Sequence, residues 1–244
     1  MKFFAVIVVF VFLFACGGKN SSFSQTGKKD LPEEPIIVPA LDYKKQIVAV
    51  EDERNSVFKQ YQNNSQNSEI AENARRTFVD SVYRKIIPYW YETEWDFYGM
   101  SEKPKEGKIA CGYFVTTVLR DAGLKVERAK LAQQASEKII LSLTTEDHVK
   151  RFRNKNIEEF VKAIDNWGEG LYIVGLDFHV GFLVNDGAKT YFIHSSYIEP
   201  RKVVREIALV SKVLASSKYR VAGKISEDNE LLAKWLSQKN IPTR

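Results

Sequence analysis

Three short runs rich in β-branched and aromatic residues follow one another late in the chain: LYIVGL (Leu171 to Leu176), HVGFLVN (His179 to Asn185) and KTYFIHSS (Lys189 to Ser196). Runs of this length, bounded by turn residues, predict buried strands. Asp186-Gly187 between the second and third is a hairpin signal, because both residues tolerate the positive φ of a tight turn. YRVAGKI (Tyr219 to Ile225) predicts a fourth strand. Antiparallel strands with apolar faces need a covering layer, and the preceding sequence offers it as helices.

Ile70, Ala74, Phe78, Val82 and Ile86 recur at i, i+4 and predict a helix from Ser68, with Pro88 ending or kinking it. Val115, Val118, Leu119 and Ala122 form one stripe of a helix over Cys111 to Ala122, closed by Gly123. Further helices are expected over Leu41 to Tyr61, Glu127 to Leu143, Glu158 to Asn166, Arg205 to Ser216 and Asn229 to Lys239, with Thr144 to Asn156 a polar connection. Helices first and antiparallel strands second predict an α+β fold, and 44% hydrophobic residues supply its core. Six of the ten residues from Tyr89 to Tyr98 are aromatic, which suits either core packing or a cleft wall.

The first residues, MKFFAVIVVFVFLFAC, read as a secretion signal: a short basic start, then an apolar run too short for a membrane span. LFAC (Leu13 to Cys16) resembles the lipobox of bacterial lipoproteins. That resemblance implies a signal peptide over 1–15, lipid on Cys16, and a membrane-anchored protein of the bacterial cell envelope. Residues 16–40 read as a flexible tether rich in Gly, Ser, Lys and Pro, and 41–244 as one domain. The net charge of +5 comes from scattered residues, so no nucleic-acid partner is inferred.

With Cys16 taken by lipid, Cys111 has no cysteine to pair with, and neither a disulfide framework nor a multi-cysteine metal site can form. A lone thiol is either an inert core residue or a nucleophile. Two devices favour its reactive thiolate: a helix N-terminus and a nearby histidine. The turn-rich residues before Cys111 and the helical stripe after it supply the first, with free N–H groups to hold an oxyanion. Of the three histidines, His148 lies in a charged stretch and reads as exposed. His179 starts one arm of the hairpin and His194 ends the other, which brings the two to one edge of the sheet.

ACGYFVTTVLRDAGL followed by HVGFLVNDGAKTYFIHSS resembles the NlpC-type cell-wall peptidases, a papain-like group of cysteine hydrolases. The resemblance spans about Trp95 to Tyr197. It implies a papain-like core with Cys111 as nucleophile, His179 as general base and His194 as its orienting partner. DFYG matches an aromatic-Tyr-Gly segment of that family and makes Tyr98 a candidate for substrate or oxyanion contact. The family's usual reaction is cleavage of the γ-D-glutamyl bond to the diamino acid in peptidoglycan stems, with no cofactor and no metal. Relatives act as amidases or acyltransferases. Two departures stand out: Gly112 replaces the serine that commonly follows the cysteine, and 127–166 reads as a helical insertion. The expectation is a Cys-His-His amide hydrolase whose partner is peptidoglycan. Its alternatives are an inactive envelope module that binds or scaffolds, and an acyltransferase.

Overall fold

The computed structural model describes residues 42–63 and 67–244, all within one compact unit. The signal peptide, Cys16 and the tether lie outside the described residues. In chain order the elements are α1 (Tyr43–Asn63), α2 (Ser68–Asp80), a π-helical segment (Ser81–Ile86), α3 (Ile87–Trp90), β1 (Glu94–Trp95), β2 (Lys108–Ile109), α4 (Cys111–Asp121) and β3 (Lys125–Val126). Then come α5 (Arg128–Ala132), α6 (Ser136–Leu143), β4 (Val149–Arg153), α7 (Ile157–Trp167), β5 (Gly170–Leu176), β6 (Val180–Asn185) and β7 (Thr190–Ser195). The last are β8 (Val203–Ile207), α8 (Lys212–Ser216), β9 (Tyr219–Lys224), α9 (Asn229–Ser237) and β10 (Asn240–Ile241). Six strands form one antiparallel sheet in the order β4-β9-β5-β6-β7-β8, so the α+β expectation holds.

Local chemistry explains most boundaries. Asn67 caps α2, its side chain accepting from the Glu69 and Ile70 amides. Of the two outcomes expected, Pro88 distorts the helix and does not end it. It has no N–H for the Arg84 carbonyl, and the chain widens into the π-helical segment just ahead of it, where the Ile87 amide bonds to Val82. The helix axis therefore continues to Trp90.

Three expectations need correction. The helix over Glu127 to Leu143 is two helices, α5 and α6. The polar connection over Thr144 to Asn156 contains β4, and the helix over Arg205 to Ser216 begins as β8 before a 3-10 turn and the shorter α8. Both missed strands are sheet edges, where charged side chains guard the open side and hide the strand pattern. The region 127–166 is thus not purely helical, since it supplies a sheet edge.

The hairpin at the centre of the sheet positions the rest. β6 and β7 are buried at every position. Alternate residues face two layers. Phe182 meets the Phe114 ring of α4 on one face, with centroids 5.9 Å apart. Leu183 and Phe192 join Phe160, Val161 and Ile164 of α7 in a core on the other. Losing one such ring costs about 3–5 kcal/mol.

Candidate active site

Cys111 is the first residue of α4. Two backbone anchors hold it there: the Ala110 amide donates to the Gly99 carbonyl at 2.8 Å, and Ser195 Oγ donates to the Ile109 carbonyl at 2.7 Å. The first ties the aromatic loop to the nucleophile's turn. The second ties that turn to β7. Gly112 is dictated by packing, because a Cβ there would collide with the Ala132 carbonyl at the end of α5. Any side chain after Cys111 would push α5 away from α4.

The half-buried thiol opens on a cleft of about 230 Å³ whose walls include Gly112, Ala135, Asp177, His179 and Val180. Burial pushes the Cys111 thiol above its ordinary range, although the amides of Val180, Gly112 and Cys111 itself act in the opposite direction. The thiolate-favouring devices read from the sequence are therefore present but outweighed by desolvation.

The hairpin register brings the two histidines together. Asn185 pairs with Thr190, which leaves a four-residue connection, and Phe182 pairs with Ile193. Continuing that register sets Gly181 opposite His194, with His179 two residues along on the same face. The imidazoles meet edge to face with centroids 5.0 Å apart, and His179 Nε2 lies 2.8 Å from His194 Nδ1. Gly181 makes the room: a Cβ there would lie 2.6 Å from Phe192 Cε2 and 2.9 Å from His194 Cβ.

A carboxylate that the sequence reading missed completes the chain. Glu206 Oε1 on β8 lies 3.2 Å from His194 Nε2 and also accepts from Ser211 Oγ. Burial raises the Glu206 carboxyl, but the bonds from His194 and Ser211 more than offset this and hold it below its ordinary value. It is an acceptor, which fixes the hydrogens of its neighbours. His194 must donate from Nε2, so its Nδ1 accepts. His179 must then donate from Nε2, and its Nδ1 carries the lone pair. Burial lowers both imidazoles; the neighbouring ring depresses His179 further, while Glu206 pulls His194 back up. The resting pair is neutral, and His179 Nδ1 is a base without a hydrogen-bond partner among the described residues.

Cys111, at the start of α4, and His179, just ahead of β6, reach the cleft from different elements. Both line it, and among the described residues no hydrogen bond joins them. Tyr98 is not brought to the thiol: its ring is 82% exposed, edge-on to Phe97, and outside the walls of that cleft. Asp177 does line the cleft, but its carboxylate is occupied by Ser217 Oγ and the amides of Lys218 and Tyr219. His148 sits in a 3-10 turn and borders a different cavity. Glu206 escaped notice because its strand was read as the start of a helix. The β-branched pair Val203-Val204 just before it was the signal for a strand.

Among the described residues no group of three or more His, Cys, Asp or Glu is placed to hold a metal ion, and no helix is long and apolar enough to cross a membrane. No protein-family model, curated protein or solved structure matches the chain.

Proposed function

We propose that the chain is a papain-like cysteine hydrolase of the bacterial envelope, anchored by lipid on Cys16, that cleaves an amide bond in the peptide stems of peptidoglycan. The observation that carries the reading is the ordered relay from Glu206 through His194 to His179, which leaves the lone pair on a ring whose residue lines the same cleft as Cys111. Peptidoglycan as substrate rests on the resemblance of the Cys111, His179 and His194 segments to NlpC-type peptidases and on the lipobox.

The resting state is a neutral thiol and a neutral imidazole, so chemistry begins by general-base catalysis. His179 Nδ1 takes the thiol proton as sulfur bonds to the amide carbon, and the carbonyl π pair moves to oxygen. The Cys111, Gly112 and Val180 amides that face the sulfur are the candidate donors to that oxyanion. Its collapse breaks the C–N bond, and the amine leaves with the proton from Nδ1. Water then gives a proton to Nδ1 and its oxygen to the acyl carbon. The thioester breaks, and sulfur recovers its proton. His194 is a positioning residue that holds the reactive tautomer of His179, and Glu206 holds that of His194. Gly112, where relatives of that family carry serine, follows from the packing of α5 and leaves these roles untouched.

The test is digestion of purified peptidoglycan by the wild-type protein and by Cys111→Ala, with released fragments identified by mass spectrometry. Stem-peptide fragments from the wild type and none from the variant are expected. Release that persists in the variant would remove Cys111 from the mechanism. No release by folded wild-type protein would overturn the hydrolase reading in favour of a binding module. Acyl transfer to an added amine, with no hydrolysis, would overturn it in favour of an acyltransferase.

A further inference from the structure

A larger cavity, of about 640 Å³, lies between α1, the turn after α4 and the last strand β10. One part of its wall is apolar, with Ile47, Val50, Leu124, Val126 and Ile241. Arg54, which is only 3% exposed, is also part of that wall. Its Nη1 donates to the Leu236 carbonyl at 2.9 Å and its Nη2 to Asn55 Oδ1 at 2.8 Å. Nε is buried and has no hydrogen-bond partner among the described residues. A guanidinium carries five N–H donors, so most of this one's capacity is unspent.

The contrast with Arg220 shows that this is not how the fold satisfies a structural arginine. Arg220 is fully buried, and its Nε, Nη1 and Nη2 donate to the carbonyls of Leu214, Lys155 and Ala215. Arg54 has one carbonyl, one amide oxygen and no ion-paired carboxylate among the described residues. Two of the three acids around the cavity are engaged elsewhere. Asp121 accepts from Tyr43 at 2.6 Å and from Arg120 at 2.7 Å, and Glu127 pairs with Lys130 at 3.1 Å. Only Glu51, one turn back on α1, acts on Arg54 through space. A buried cation without its counter-charge is costly unless something supplies the missing acceptors. Gly123, also on the wall, has φ +99°, and a Cβ there would stand 3.5 Å from Arg54 Nε.

We propose that this cavity binds a small organic carboxylate with an apolar body: the carboxylate bonds to Arg54, and the body lies on the wall formed by Ile47, Val50 and Ile241. The inference stands apart from the hydrolase reading and would survive its failure.

The test is a titration of ¹⁵N-labelled full-length protein followed at the Arg54 Nε–H resonance, identified by its loss in Arg54→Met. The probes are N-acetylleucine, its neutral amide N-acetylleucinamide, and inorganic phosphate. A saturable shift with N-acetylleucine is expected, with affinity for the amide and for phosphate lower by about tenfold or more, a difference of about 1.4 kcal/mol. Ile47→Trp, which fills the cavity from the helix side and leaves Arg54 in place, should abolish the shift. Equal affinity for the amide would overturn recognition by charge. Equal affinity for phosphate would overturn the role of the apolar body. No saturable shift, or one that survives Ile47→Trp, would overturn the site. Should Arg54→Met fail to fold, the tryptophan variant and the amide probe still decide.

Discussion

β6 and β7 at the middle of the sheet are buried at every position, whereas β4 at one rim has no buried residue and β8 at the other has only Val203. The candidate site draws on both kinds of strand. Its imidazoles come from the central hairpin, where burial keeps them uncharged, and the carboxylate that orders them comes from the rim, where an ionised group is tolerated. Desolvation disfavours charge on base and anchor alike, and the anchor stays ionised through the bonds it accepts from His194 and Ser211. The fold sets that anchor one strand spacing from His194 and connects the two by a hydrogen bond.

The sharpest way to break this contrast is to crowd the hairpin. Gly181→Ala would force Phe192 and His194 apart and move the relay. The expected loss is on the order of a hundredfold in kcat/KM, from misplacing the base, with about 1–3 kcal/mol of stability lost to overpacking. Unchanged turnover in stop-flow or steady-state assays would show that His194 does not position His179.

Removing the charge at the rim should do less. Glu206→Gln keeps an acceptor oxygen but gives up the anion and adds a competing donor, so a loss of about tenfold in kcat is expected, below the roughly hundredfold at which loss of the base itself would begin. Its pH signature separates this role from a structural one. His179 and His194 are depressed in the folded state, so the stability they contribute is complete above the unfolded value of about 6.5 and is lost as pH falls through the folded values. Without the carboxylate that lifts it, His194 in Glu206→Gln should titrate lower still. The melting temperature should therefore fall more steeply below about pH 6.5 than in the wild type. Parallel profiles would refute the coupling. The smallest effect belongs to the far rim. Lys150→Ala on β4, which removes an exposed cation from above the Trp167 ring, should cost about 0.5 kcal/mol and leave activity intact. A loss comparable to Gly181→Ala would mean that rim and centre are not energetically distinct.

The same division explains what could be read from the amino acids alone. The central strands were legible because burial on both faces demands an unbroken apolar run, and Asp186-Gly187 marked their turn. That placed His179 and His194 side by side before any geometry was known. The rims were not legible. VKRFR of β4 alternates charges that face water with Phe152, which looks like a polar connection, and VVREI of β8 led into residues with helical spacing. Glu206 disappeared with its strand. The break between α5 and α6 was also invisible, because Gln133, Gln134 and Ala135 include no glycine or proline to mark it. The Arg54 cavity depends on α1, α4 and β10 converging from distant parts of the chain, and no local pattern records that.

The relay has a direction. Its two N–H vectors point the same way, toward Glu206, because an acceptor at one end dictates the sense of every link behind it. Turning over a single ring would set two lone pairs, or two hydrogens, against each other. The row can therefore reverse only as a unit, and while Glu206 stays ionised the basic end is always His179 Nδ1.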